Sequence, residues 1–157
     1  MAHSPTLGTL LRRLIDVLDG AVEESYADAG LDYRPRYTPI MRELLAQGPA
    51  TIRALAKRSG VTHSATGQTV NQMAKHGLVT LTTGDDARER IVALTPHAEK
   101  LVPQLQQLWA ATEAAARTLD DSLGLSLPEV IARTLKLLEE VPFSERLREA
   151  SNPVFPQ

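Results

Sequence analysis

Between residues 51 and 95 the chain reads TIRALAKRSGVTHSATGQTVNQMAKHGLVTLTTGDDARERIVALT, and its hydrophobic period changes partway along. Ile52, Leu55 and Ala56 recur at helical steps behind Thr51, a residue suited to cap a helix start, while Arg53, Lys57 and Arg58 fall on the outward side. Ser59, Gly60 and Val61 make a tight turn. Thr62 then caps a second helix, with inward positions expected at Ala65, Thr69, Val70 and Met73, and Gly77 ends it. Behind that stop, LVTLTT at 78–83 alternates with the two-residue period of a strand. Gly84, Asp85 and Asp86 supply turn chemistry, and ERIVALT at 89–95 is a second β-rich run. Two helices joined by a glycine turn could belong to any helical hairpin. A β-hairpin directly behind them narrows the choice to a helix-turn-helix with a wing. The expected fold class is mainly α with a small β-hairpin wing.

The flanking segments are long amphipathic helices. Ser4 as N-cap and Pro5 at the first helical position open one that carries Leu7, Leu10, Leu11, Leu14, Ile15, Leu18, Ala21 and Val22 at three- and four-residue steps, and Gly30 stops it. Pro35 turns Arg34 away from helix, so residues 31–35 read as a connector. Thr38 and Pro39 start a shorter helix with Ile40, Met41, Leu44 and Leu45 on one face, broken by Gln47, Gly48 and Pro49. After the hairpin, Thr95 and Pro96 begin a long helix whose stripe runs from Ala98 through Leu101, Leu105 and Trp109 to Leu119, with Pro103 placed to kink it. Residues 120–126 end that helix. Ser126 and Glu129 have capping-box spacing, and Val130, Ile131, Leu135 and Leu138 give a last amphipathic helix. The closing SNPVFPQ has no period. Four segments result: a dimerisation helix at 1–33, a winged helix-turn-helix at 34–95, C-terminal dimerisation helices at 96–150 and an irregular tail at 151–157. The terminal stripes exceed what the short middle can cover, so a second copy of the chain is their simplest recipient.

Composition excludes several classes. A chain of 157 residues with 43% hydrophobic content buries the core of one domain. The absence of cysteine excludes disulfides, thiolate metal sites and thiol sensing. No apolar run nears the roughly 18 residues that span a bilayer, and the start lacks a secretory pattern, so a cytoplasmic protein without membrane partners is expected. The net charge of −2 averages three unlike parts, −4 over residues 1–33, +5 over 34–90 and −3 over 91–157. A basic island in an acidic chain points to a polyanionic partner for the middle segment. His63, His76 and His97 are too scattered for a metal motif, and His3 lies near the terminus. No phosphate loop, His-Glu metal signature or nucleophile triad is present; neither an enzyme nor a cofactor is expected.

With GDDARERIVALTP and TIRALAKRSGVTHSATGQTVNQMAKHGLV in this order of elements, residues 5–141 resemble the MarR family of bacterial transcriptional regulators. Asp86, Arg88, Leu94 and Thr95 match the family's wing motif. The resemblance implies an intertwined homodimer bound to a pseudo-palindromic operator in double-stranded DNA. It also implies a small-molecule effector that weakens DNA binding, most often with repression as the output. Where relatives often carry basic residues, this chain has Gln68 and Gln72.

The candidate DNA-reading helix contributes Thr62, His63, Ser64, Thr66, Gly67, Gln68, Asn71 and Gln72, a short, neutral set of hydrogen-bonding groups. Gln and Asn can bond bidentately to adenine, and Thr and Ala methyls pack on the thymine methyl. Arg53, Lys57 and Lys75 are candidate contacts to the phosphate backbone, and Asp86, Arg88 and Arg90 form the wing. Asp86 and Arg88 are either an ordinary exposed ion pair or, as favoured here, a wing tip in which Asp86 aims Arg88 at the minor groove. Gly67 serves either close approach to DNA or close packing on a neighbouring helix. Tyr33, Tyr37 and Met41 are packing residues or, by the resemblance, part of an effector site near the hinge; Trp109 reads as core or dimer packing. The rival to DNA binding is a winged helix that serves as a protein-interaction module.

Overall fold

The computed structural model describes residues 4–151, and its elements follow from local signals in the chain. Helix α1 (Leu7–Asp28) is capped by Thr6, whose Oγ1 accepts from the Thr9 N–H at 3.3 Å; the helix thus starts later than Ser4 and Pro5 suggest. Its end is closed by Gly30 in the left-handed region (φ 73°), with the Leu31 N–H donating to the Tyr26 carbonyl at 2.9 Å. The connector contains a 3₁₀ turn, Pro35–Tyr37, that leads into α2 (Thr38–Gln47). Two extended residues, β1 (Ala50–Thr51), precede α3 (Ile52–Ser59) and α4 (His63–Lys75). The hairpin of β2 (Val79–Thr83) and β3 (Arg90–Leu94) follows, then α5 (Pro96–Leu123), α6 (Leu127–Glu140) and α7 (Phe143–Ser151).

The sheet has the order β1-β3-β2, antiparallel throughout, with Ala50 opposite Val92 and Leu81 opposite Val92 on the other side. Short β1 was not legible beside its helix. It places the start of α3 on the sheet, so the wing and the helix-turn-helix share one scaffold.

The chain divides within α5 into two compact units, one ending at Trp109 and the other beginning at Ala110. The first holds the core: Tyr26 of α1, Tyr37, Ile40, Met41 and Leu44 around α2, Leu55 of α3, Val70 and Met73 of α4, Leu78, Val79 and Val92 of the hairpin, and Ala98, Leu105 and Trp109 of α5. Trp109 is a core residue, with the Arg42 guanidinium 4.9 Å from its ring centroid. The inward face of α4 is Thr66, Val70 and Met73; Ala65 and Thr69, expected there, are only half-buried. In the second unit Ser126 caps α6 as its spacing predicts, accepting from the Glu129 N–H at 3.4 Å. Helix α7 extends the chain beyond the last helix that the periodicity indicates. Ser151 is its final residue; the rest of the expected tail, and His3, lie outside the described residues. Neither α6 nor α7 has a buried residue, and α5 runs on through Pro103.

Candidate nucleic-acid interface

Two caps, two left-handed glycines and a threonine link fix the presentation of α4. Thr51 caps α3 by accepting from the Ala54 N–H at 3.1 Å, and Thr62 caps α4 by accepting from the Ala65 N–H at 3.2 Å. Between them Gly60 takes φ 69°, a conformation that a side chain would strain. At the far end Gly77 (φ 69°) turns the chain, and the Leu78 N–H donates to the Met73 carbonyl at 2.9 Å. Thr95 locks this end to the sheet: its hydroxyl donates to the Gly77 carbonyl at 2.6 Å, and the same oxygen accepts from the Ala98 N–H at 3.1 Å to cap α5.

With its inward face committed to the core, α4 turns His63, Ser64, Gln68, Asn71 and Lys75 outward, with Gly67 and Gln72 half-buried at the flanks and Thr62 exposed at the cap. Seven of the eight residues expected to read DNA therefore lie on or beside one accessible surface. Thr66 does not. It is fully buried, because positions 66, 70 and 73 are separated by four and three residues and so share one helical face.

The wing completes the surface. Across its tip the Gly84 N–H donates to the Glu89 carbonyl and the Glu89 N–H to the Asp86 carbonyl, both at 2.9 Å. The Asp86 carboxylate accepts from the backbone N–H of Arg88 at 2.9 Å; it shapes the turn instead of holding the Arg88 guanidinium. A cleft of about 720 Å³ lies between the wing and the helix-turn-helix, lined by Arg53 of α3, His63 of α4, and Asp86, Arg88, Glu89 and Arg90 of the wing. Residues nearly forty positions apart in sequence thus converge. Lys57 is exposed one helical turn beyond Arg53, and Lys75 lies at the opposite end of α4. Among the described residues none of Arg53, Lys57, Lys75, Arg88 and Arg90 forms an ion pair, so their charge faces outward.

Tyr33, Tyr37 and Met41 are buried in the core, as the packing reading has it. They belong to a feature that sequence alone did not reveal: an edge-to-face ladder of rings from Tyr26 to Tyr33 (4.9 Å between centroids), to Tyr37 (5.6 Å), to His76 (5.8 Å). Tyr33 donates to the Thr38 hydroxyl at 3.4 Å, and burial pushes its phenol above the usual range. His76 Nδ1 lies 3.4 Å from the Tyr37 hydroxyl and 3.7 Å from the Asp32 carboxylate, so the ladder joins α1 and the connector to the end of α4. The ion pair between Arg34 and Glu23 ties the connector to α1 as well. Among the described residues no helix is long and apolar enough to cross a membrane.

Residues 30–89 match the family model described as the MarR family. A search of curated protein sequences finds no match. Among solved structures, the chain is similar to the Mycobacterium tuberculosis transcriptional regulator MosR in complex with DNA (TM-score 0.69, 22% identity, 87% of this chain and 96% of that one). It is also similar to a MarR transcriptional regulator from Methanosarcina mazei Go1 (TM-score 0.60, 17% identity, 82% and 93% covered). A third is Bordetella bronchiseptica BpsR, whose DNA binding is regulated by 6-hydroxynicotinic acid (TM-score 0.56, 19% identity, 90% and 97% covered). Residues 30–89, which hold the helix-turn-helix and the first wing strand, are thus similar in sequence to the MarR family, and the chain shares the fold of these regulators over most of its length.

Proposed function

We propose that the protein is a homodimeric transcriptional regulator that binds double-stranded DNA sequence-specifically, most simply as a repressor occupying a promoter. The observation that carries this reading is the composite surface: a neutral hydrogen-bonding face on α4, bordered by exposed cations from α3 and the wing. Ser64, Gln68, Asn71 and Gln72 are proposed to meet base edges in the major groove, with His63 and Thr62 at the helix start. Arg53, Lys57 and Lys75 are assigned to phosphates, and Arg88 and Arg90 to the groove beside the wing.

Dimerisation is proposed through residues 1–33 and 96–150. Leu7, Leu10, Leu11, Ile15 and Leu18 of α1 are exposed, as are Leu119, Val130, Ile131, Leu135 and Phe143 in the C-terminal helices. Apolar exposure on this scale suits a second copy of the chain. We also propose a small-molecule effector, on analogy with BpsR. Tyr33, Tyr37 and Met41 are filled core, so an effector that reaches them has to displace side chains. As a DNA-binding protein it acts in the cytoplasm. The test is selection of duplexes from a randomised pool, followed by a mobility shift on the enriched sequence. A two-fold symmetric consensus bound by a dimer is expected, and failure to enrich any duplex would overturn the reading.

A further inference from the structure

The structure separates the two roles open to Gly67. An added Cβ would meet nothing within 4 Å, so packing on a neighbouring helix does not require glycine there. Nor does the backbone: the positive-φ glycines are Gly30, Gly48, Gly60, Gly77 and Gly124, and Gly67 is not among them. It sits inside α4 with ordinary helical geometry, where replacing alanine by glycine lowers the folding equilibrium constant about fivefold. Among the described residues no neighbour of Gly67 requires the missing side chain. Its position is informative: Gly67 is one turn from His63 on one side and one turn from Asn71 on the other, both exposed and both on the proposed reading surface. Gly20, the other mid-helix glycine with nothing within 4 Å, lies on α1, the helix whose exposed leucines are assigned to a second copy. In both places the vacant Cβ position opens on unoccupied space, at the flank of the outward face in the case of Gly67.

The geometry points to Gly67 as the point of closest approach between α4 and the duplex, where the absent side chain lets a base edge come up against the helix backbone. This rests on the DNA-binding reading and refines it. A side chain at this position holds the helix out from the groove floor by about the length of one carbon–carbon bond, about 1.5 Å. Such a displacement is enough to break the hydrogen bonds of Ser64, Gln68 and Asn71, which tolerate only a few tenths of an ångström. Gly67 therefore acts as a positioning residue: its smallness sets the depth at which its neighbours read bases.

The experiment compares the parent protein with Gly67→Ala and Gly67→Met, using a duplex selected from a randomised pool by the parent and a scrambled duplex of the same length. Both replacements favour helix, so both variants are expected to unfold at higher urea than the parent. Affinity for the selected duplex is expected to fall on the order of tenfold for Gly67→Ala and further for Gly67→Met, consistent with lost base contacts. Affinity for the scrambled duplex changes little, because phosphates dominate it. Unchanged or tighter binding of the selected duplex by Gly67→Ala overturns the proposal while leaving DNA binding intact. A Gly67→Ala protein less stable than the parent overturns it too, since the fold itself would then need the glycine. If the parent selects no duplex, the underlying reading fails and the proposal falls with it.

Discussion

Thr66 offers a sharp test of how α4 is oriented. Its side chain is fully buried beside Val70 and Met73, and its Oγ1 has no hydrogen-bond partner among the described residues. A hydroxyl in that position has given up water without replacement, at a cost of about 1–3 kcal/mol. Valine has the same shape, replaces the hydroxyl with a methyl and has nearly the same helix propensity as threonine. Thr66→Val is therefore expected to stabilise the protein by about 1–2 kcal/mol, the lower part of that range. For a chain of this size each kcal/mol raises the thermal midpoint by about 2–4 °C. The control is Thr66→Ser, which keeps the unpaired hydroxyl and loses a methyl, and should cost about 1 kcal/mol. Urea unfolding at one fixed protein concentration measures both, the concentration being held because a dimer's midpoint depends on it. DNA affinity should not move, because Thr66 points away from the reading surface. A Thr66→Val protein no more stable than the parent would show that the hydroxyl is bonded in solution. Loss of affinity for a selected duplex would return Thr66 to the DNA face and refute the helix orientation described above.

Arg88→Ala should weaken binding to every duplex and lower the salt slope by about one counterion, whereas Gln68→Ala should cost about 1–3 kcal/mol on the selected duplex alone; salt titrations on both duplexes separate them. Ile15→Glu and Leu135→Glu place charge on exposed apolar stripes and should turn a dimer into a monomer or an unfolded chain in sedimentation, while a charge at the fully buried Leu105 would disrupt the core itself and say nothing about association. A dimer unaffected by both stripe variants would refute the proposed interface. Partial burial, then the Asp16 and Glu23 carboxylates, raise Asp19 above its ordinary value, so the folded chain holds that proton more tightly than the unfolded one. Asp19 thus lowers stability as pH rises through the carboxylate range, and Asp19→Asn should be slightly more stable at neutral pH, with the gain vanishing in acid. An equal gain at pH 3 and pH 7 would refute the charge argument.

What the sequence made legible was mostly local. Thr51, Thr62 and Ser126 cap the helices that their spacing assigns to them, and Gly60 and Gly77 take the left-handed geometry that their turns demand. Alternation located both strands of the wing. The failures are of other kinds. Residues Ala50–Thr51 are too few to show a period, and they become a strand only because β3 pairs with them. Helix α7 is short and highly charged, and Phe143 and Leu147 are its two large apolar residues, too few to establish a period. Thr66 was placed by chemical type, as a polar residue suited to DNA, although it lies four residues before Val70 and seven before Met73, spacings that put it inside. The tyrosine ladder joins Tyr26 to His76 across fifty positions, and no periodicity can encode that contact.

The distribution of charge on the surface bears on how such a protein would choose its site. Arg53, Arg88 and Arg90 stand around the cleft and Lys75 at the far end of α4, whereas Ser64, Gln68 and Asn71 between them are neutral. Under the proposed function, the groups that attract DNA are not those that discriminate among bases. Neutral amides and hydroxyls release no counterions when they meet base edges, so the selected and scrambled complexes shed nearly the same number of ions. Salt then lowers both affinities together and leaves their ratio nearly constant. A reading helix that used arginine for its bases would couple the two, because each base contact would also add to the field felt by any sequence. Asp86 and Glu89, which line the same cleft, act in the same direction by moderating the attraction of the wing for phosphate in general. The net charge of −2 is thus compatible with a selective DNA-binding protein, since selectivity depends on the neutral face and attraction needs only a local cluster of cations.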